Sequence, residues 1–277
     1  MATPIAEPAE SVRPKSCAVR SQSAQLAGHP SVQYWQGVAD TFGNLEVRSR
    51  EDVSAMLQLV AKSLAPVRRV VHAGDAIYRP GDECHTLYLV NVGFFKIVNH
   101  LGDGQEQVVG FKFRGDWMGL DGIAARRHTS AAIAMDVGEV WAISYHRLLA
   151  ECAKTPALIG VMHDAMSREI ARHRNAMMSV CSRPADARVA DFLYYWSQSL
   201  AECGKRADQF NLPVSRADIG SYLGMTLETV SRAFTRLTRQ GLINMVENDR
   251  REIRISRIEA LARFVGRCVS PAVPVLQ

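Results

Sequence analysis

The sharpest chemistry in this chain is carried by three neighbouring side chains, Glu228, Ser231 and Arg232. An arginine guanidinium donates two parallel hydrogen bonds to guanine O6 and N7, a glutamate accepts from the cytosine amino group, and a serine hydroxyl reaches either kind of base edge. Set on one helical face, the three fit the major groove of duplex DNA. A plainer use is also open. Glu228 and Arg232 are four residues apart and can pair with each other on a solvated helix.

The elements that must hold these side chains are written around them. Residues 215–241 read as two short helices with a glycine-marked turn, which is a helix-turn-helix. Ser215 can N-cap the first helix, whose Ile219, Tyr222 and Leu223 share a face; Gly224 ends it with a positive φ, and Thr226 caps the second. In that second helix Leu227, Val230, Phe234 and Leu237 recur at steps of three and four, leaving Glu228, Ser231, Arg232, Arg236 and Arg239 off the apolar stripe. The expected DNA contacts are Glu228, Ser231 and Arg232, with Ser215, Thr226, Thr229 and Arg236 around them. Gly241 closes the helix. Strands at 242–246 and 252–256, joined by a polar turn at 247–250, then make this a winged helix-turn-helix.

The stretch 218–232 resembles the DNA-binding signature of the Crp/Fnr family of bacterial transcription regulators. Its Glu-x-x-Ser-Arg core is similar to the Fnr branch, which implies a TTGAT-type half-site. The likeness continues upstream through Ala65, Pro66 and Val67, the run 79–83, Leu87 and Tyr88, and the run 115–119, so that it spans roughly residues 45 to 265 in order. The resemblance implies an α+β chain: an N-terminal cyclic-nucleotide-binding-type β-roll, a long dimerisation helix and a C-terminal winged helix-turn-helix. It also implies a regulator that contacts RNA polymerase, for which the loop Gly102, Asp103, Gly104, Gln105 and Glu106 is a candidate; a solvated hairpin turn is the alternative.

Composition agrees from its own side. A chain of 277 residues with 47% hydrophobic content suits two domains with real cores. No apolar run reaches the roughly 18 residues of a membrane span, and the N-terminus, rich in Pro, Glu and Ala, has no signal-peptide block. A cytoplasmic protein is expected. The net charge is +5, and residues 183–277 hold 14 Lys/Arg against 10 Asp/Glu, so most of the excess sits with the helix-turn-helix. An enzyme is not expected, because the chain has no His-x-His pair, His163 and Glu169 do not make a helical zinc motif, and its Gly-Asp turns lack a phosphate-loop lysine. A nonspecific architectural DNA binder would use the same charge, but Glu228 repels phosphate and makes sense mainly as a base reader.

Upstream, β-type runs at 67–71, 86–92, 94–98, 107–113, 131–135 and 140–143 alternate with Gly-Asp and Pro-Gly turns, as in an antiparallel roll. This sensory domain takes residues 31–155 with an N-terminal helical segment. Residues 1–30 are expected to be disordered and 269–277 to be a tail. From 156 to 182 runs a long helix, with the winged domain following over 183–268. In the helix, Ile159, Met162, Met166, Ile170, His173, Met177 and Val180 average 3.5 residues apart, the spacing of a coiled-coil seam. A seam of about 33 Å at 1.5 Å per residue is long for one small domain to bury, so pairing with a second copy is expected; burial along its own roll is the alternative. His173 is expected at the seam edge, satisfied by solvent or a carboxylate.

The input signal is less legible. Cyclic-AMP-binding relatives hold the ribose with a Gly-Glu pair and the phosphate with an Arg-Ser or Arg-Thr pair; here Gly119 and Leu120, and Thr129 and Ser130, fall at those places. Leu120 cannot accept a ribose hydrogen bond, and only a shifted register would bring Arg126 or Arg127 to the phosphate, so cyclic AMP is not expected. The Fnr branch holds a [4Fe-4S] cluster on three clustered N-terminal cysteines and one in the roll. Cys17 stands alone in this N-terminal region, and Trp141 falls at the fourth ligand, so a cluster is not expected either. The remaining cysteines, Cys84, Cys152, Cys181, Cys203 and Cys268, are scattered; Cys181, with Arg183 nearby, is the best redox candidate. His72, His85, His100 and His128 leave haem open. No metal site is expected, and a small-molecule signal or none at all stays open.

Overall fold

The computed structural model describes residues 48–100, 102, 104–246 and 249–267. Expectations for residues 1–30 and 269–277, and for Cys17, Asp103 and Cys268, lie outside that set. The first element, α1 (Arg50–Leu64), starts from a reciprocal cap in which Ser49 and Asp52 satisfy each other's backbone N–H groups. Its Val53, Leu57, Val60 and Leu64 fall at helical spacing and are the residues it buries.

Eight strands follow: β1 (Val67–Val71), β2 (Ala76–Tyr78), β3 (Thr86–Val92), β4 (Phe95–His100), β5 (Glu106–Lys112), β6 (Trp117–Met118), β7 (Ala131–Ala134) and β8 (Gly138–Ser144). They form two antiparallel sheets, in the orders β1-β8-β3-β6 and β2-β7-β4-β5. Alternation along the strands gives each sheet two apolar faces with different uses. Val90, Val140 and Met118 of the first sheet meet Tyr78, Phe95, Ile97, Ala132 and Ala134 of the second inside the roll. Leu87, Leu89, Trp141 and Ile143 point the other way. They pack under α1, α2 (Tyr145–Cys152) and the start of α3 (Ala157–Ser182). The sequence pattern finds six of these strands and misses β2 and β6, because runs of two and three residues carry no readable alternation.

The remainder is α4 (Ala185–Glu202), β9 (Gln209–Asn211), α5 (Arg216–Leu223), α6 (Leu227–Arg239), β10 (Ile243–Val246), β11 (Asp249–Ile255) and α7 (Ile258–Arg267). The wing is a three-stranded sheet in the order β10-β11-β9, and short β9 is again unreadable by alternation. One expectation is corrected here: the second wing strand resumes at Asp249, which pairs with Val246 after a bulge, rather than at residue 252. Residues 249 and 250 of the expected turn are thus strand, and 247 and 248 lie outside the described set.

A third apolar cluster runs unbroken from the roll into the winged domain. The outer face of the second sheet contributes Val98, Val108 and Phe111, with Phe113 beyond its end; α4 contributes Phe192, Leu193 and Trp196; α5 and α6 contribute Ile219, Val230, Phe234 and Leu237. Trp196 is the centre, with ring centroids of Phe113, Phe111 and Phe94 at 4.8, 5.5 and 5.6 Å. Among the described residues no helix is long and apolar enough to cross a membrane.

Candidate nucleic-acid interface

The helix-turn-helix is set by caps and by two glycines. Ser215 Oγ accepts from the Asp218 N–H at 2.9 Å, which starts α5. Gly224, at φ 63°, ends it, and the Met225 N–H donates back to the Gly220 carbonyl at 2.9 Å. Gly220 makes the turn tight: a Cβ there would lie 2.6 Å from the Met225 carbonyl oxygen. Thr226 then accepts from the Thr229 N–H at 3.2 Å and starts α6, with the Thr226 and Thr229 hydroxyls 2.9 Å apart.

On α6, Val230, Ala233, Phe234 and Leu237 are buried. Leu227, expected in that stripe, is 55% exposed, because the helix has not yet reached the core at its first residue; Ala233 joins the stripe instead. Glu228 and Arg232 stand outward, at 71% and 68% side-chain exposure, and the Arg232 guanidinium donates to the Glu228 carboxylate at 2.6 Å. Thr229 and Ser231 lie half-buried beside them. An exposed i, i+4 pair is worth about 0.3–0.5 kcal/mol, so little opposes its opening when a base edge offers better partners. Of the two sequence readings of these residues, the ion pair is the one seen in the free protein.

Arg236 is paired as well. One turn beyond Arg232 the helix lies beside the first turn of α4, and the Arg236 guanidinium donates through Nε to Asp186 Oδ2 at 2.6 Å and through Nη2 to Oδ1. In the free protein its charge is thus paired within the domain. Asp186 was invisible to the sequence pattern, since its partner lies fifty residues away.

Residues 187–264 match the Crp-like helix-turn-helix domain, and residues 68–155 match the cyclic nucleotide-binding domain. The transcriptional regulatory protein btr of Bordetella pertussis is 35% identical over 71% of this chain and 80% of its own length. This chain belongs to the Crp/Fnr family of transcription regulators. The fumarate and nitrate reduction regulatory protein of Escherichia coli is 32% identical over 72% of this chain and 78% of its own. The structure of FixK2 from Bradyrhizobium japonicum superposes with a TM-score of 0.65, at 27% identity, covering 75% of this chain and 99% of that one.

In this Crp/Fnr chain the roll grips the first helix of the reader. Lys96 Nζ donates to Asp218 at 2.8 Å, the Val108 N–H donates to Ser221 Oγ at 2.8 Å, and the Gln107 amide donates to the Ser221 carbonyl. The Phe111 and Tyr222 rings meet edge-on with centroids 5.2 Å apart. These contacts come from β4 and β5, whose connecting turn presents Gly102, Gly104, Gln105 and Glu106 to solvent.

The long helix buries one apolar face and leaves Ile159, Ile170, Met177 and Met178 exposed elsewhere. Met162 is only 8% exposed and packs with α1 and the roll, and Met166 is half-buried against the same cluster. Ile170 and Met177 are 69% and 61% exposed. Ile159 and His173 are exposed as well, with His173 Nε2 3.5 Å from Glu169, while Val180 is half-buried against the turn at Gly224. The seam expected along 159, 162, 166, 170, 173, 177 and 180 is thus corrected at Met162, Met166 and Val180. The outward stripe is Gly160, His163, Ser167, Ile170, Arg174, Met177 and Cys181, with the same spacing but mostly one residue later. Periodicity could not tell which of these apolar positions turn inward.

At the helix end, Arg183 is extended before Pro184 and donates to Asp191, while Arg188 donates to the Arg183 carbonyl at 2.8 Å and to the Leu223 carbonyl at 3.3 Å. Arg188 thereby joins the hinge to the helix-turn-helix turn. A second junction centres on Asp116, which is 4% exposed and accepts from Arg172 at 2.9 Å, Arg48 at 3.2 Å and the Phe113 N–H at 3.0 Å. Burial alone would raise its pKa, but Arg172, Arg48 and Lys112 hold it down to about 2. Arg48 also reaches Glu202 of α4 at 3.3 Å, so one carboxylate links roll, long helix and reader.

The residues aligned with a cyclic-nucleotide clamp, 119–120 and 129–130, make local contacts. Leu120 lies in a single 3-10 turn, and the Thr129 and Ser130 hydroxyls both donate to Asp121, at 2.5 and 3.0 Å. The buried His128 ring stacks on Tyr78 with centroids 3.8 Å apart; burial lowers its pKa against the pull of Asp121 and Asp82. Arg127 Nη1 donates to the Gly81 carbonyl at 2.7 Å. Cys84 is buried, Cys152 and Cys203 are half-buried, Cys181 is exposed, and all four are free thiols; Trp141 donates its Nε1 to Glu139 at 2.8 Å. Among the histidines, His72, His85 and His100 face Asp75, Glu83 and Glu106 at 3.8, 3.0 and 3.6 Å.

Proposed function

We propose that this Crp/Fnr regulator binds a near-palindromic site built of TTGAT-type half-sites as a homodimer and contacts RNA polymerase from the DNA. The observation that carries the reading is the exposed Glu228–Arg232 pair on the first turns of a helix whose opposite face is buried from Val230 onward. The outward stripe of α3, with Ile170 and Met177 well exposed, supports pairing of two copies. Two readers would then address half-sites about 34 Å apart, one DNA turn. The exposed turn at Gly102 and 104–106 supports a polymerase contact.

The test is Arg232→Ala in a gel-shift series over single-base variants of the site. Discrimination at one base pair should fall by about 1–3 kcal/mol with little change in the salt slope. Uniform weakening on all DNA would reject specific reading.

For the signal, the residues do not fit a cyclic nucleotide. An Asp121 carboxylate beside Thr129 and Ser130 would repel a phosphate, and Leu120 offers the ribose no acceptor. Millimolar cyclic AMP should leave the melting temperature and DNA affinity unmoved; a stabilisation growing with ligand concentration would refute this. A gated regulator, answering to a redox, haem or small-molecule signal, is the second reading. The exposed Cys181 at the end of the α3 stripe favours its redox form, and absorbance of anaerobically purified protein tests the haem and cluster forms.

A further inference from the structure

The reader carries a second feature that base reading does not use. An open groove of about 340 Å³ lies between the end of α6 and α7, lined by Gln240, Leu242, Ala260, Arg263, Phe264 and Arg267. Its apolar part is half-buried Leu242 and Phe264, and its rim is exposed arginine. Arg239 precedes the lining at one end, and Arg257 follows the strand held by the Ser256 N–H on the Leu242 carbonyl at 3.1 Å. Among the described residues none of Arg239, Arg257, Arg263 and Arg267 forms an ion pair with a carboxylate; Arg263 donates only to the Glu259 backbone carbonyl at 3.3 Å. This contrasts with Arg232 and Arg236, each paired on the same domain.

We infer that this groove docks an acidic protein segment carrying one aliphatic or aromatic anchor. Charge complementarity supplies the steering, and the hollow over Leu242 and Phe264 receives the anchor. The macrodipole of α7 accounts for a cation at its last turn, but not for Arg263 and Arg267 as like-charged i, i+4 neighbours around an apolar hollow. Position separates this use from DNA binding. Gln240 lies twelve residues beyond Glu228, about 18 Å along the helix axis, whereas the major groove is about 8.5 Å deep. A helix that enters with its first turns leaves this groove outside, open to a protein while DNA is held.

The experiment uses the full chain and three variants: Arg263→Glu with Arg267→Glu, the same pair to Lys, and Ala260→Trp, which fills the hollow without changing charge. The probes are a fluorescent twelve-residue peptide of Asp and Glu around a central Phe, its counterpart with Lys in place of the acids, and operator DNA over a salt series. The native chain should bind the acidic peptide and not the basic one. Binding should fall roughly tenfold in the Glu pair and in Ala260→Trp and survive in the Lys pair, with operator affinity within about twofold throughout. Equal peptide binding by all variants, or no binding by the native chain, overturns the proposal. So does a parallel loss of operator affinity and salt slope in the Glu pair, which would make the groove a phosphate contact. Peptide binding only after removal of residues 268–277 would overturn it in favour of the chain's own tail as occupant. Failure of the base-specificity test would leave the peptide measurement standing, so the two readings fall separately.

Discussion

A methyl group at residue 220 would stand 2.6 Å from the Met225 carbonyl oxygen, closer than real side chains come to backbone. The neighbour is main chain in a hydrogen-bonded turn, so it can yield only by opening the angle between α5 and α6. Gly220→Ala should therefore destabilise by about 1–3 kcal/mol in denaturant titration and weaken operator binding in the refolded remainder. Wild-type stability in that variant would show that the turn has slack. The two glycines also show what one residue reveals beforehand. Gly224 is readable, because a glycine between two helical patterns announces a left-handed cap. Gly220 is not, since its requirement is a close approach made by residues five and seven positions later. Arg236 repeats the lesson in charge: its type and place announced a DNA contact, and its partner Asp186 could be found only in three dimensions.

At the scale of elements, extents were legible and faces were not. The limits of the long helix came within a residue of α3, because twenty-six residues of periodic sequence without an interior proline admit few other readings. Which apolar positions turn inward depends on where α1 and the roll lie, and that is absent from any window of sequence. The same holds for β4 and β5, readable as a hairpin but not as the grip on α5. Lys96 and Asp218, at 20% and 24% exposure, are screened enough for their contact to count. In a double-mutant cycle of Lys96→Ala and Asp218→Asn, the coupling should be about 0.5–1 kcal/mol toward stability. Additive losses would mean that the apolar contacts around Phe111 and Tyr222 hold the hairpin to the helix unaided.

For the whole molecule, Asp116 is the point at which three parts meet, and its ionisation ties their union to pH. Its folded pKa, about 2, lies below the ordinary 3.8. The stability it contributes is therefore complete above the unfolded value and is lost as pH falls through the folded one. Between about pH 4 and pH 2, roughly 2 kcal/mol of stability should disappear. Asp116→Asn should flatten that part of the pH profile in denaturant titration, and an unchanged slope would remove Asp116 from the account. The architecture of roll, long helix and winged reader was legible from turns, periods and motif, whereas Arg48, Arg172 and Glu202 around this carboxylate had no local mark. The apolar cluster centred on Trp196 has its own consequence for anyone who would use the reader elsewhere. A fragment cut at the hinge before α4 would carry the recognition helix but leave Phe192, Trp196 and Tyr222 without the wall of Phe111 and Phe113 that they lean on. Grafting this DNA specificity onto another protein thus means grafting a sheet with it, or rewriting those aromatics as surface.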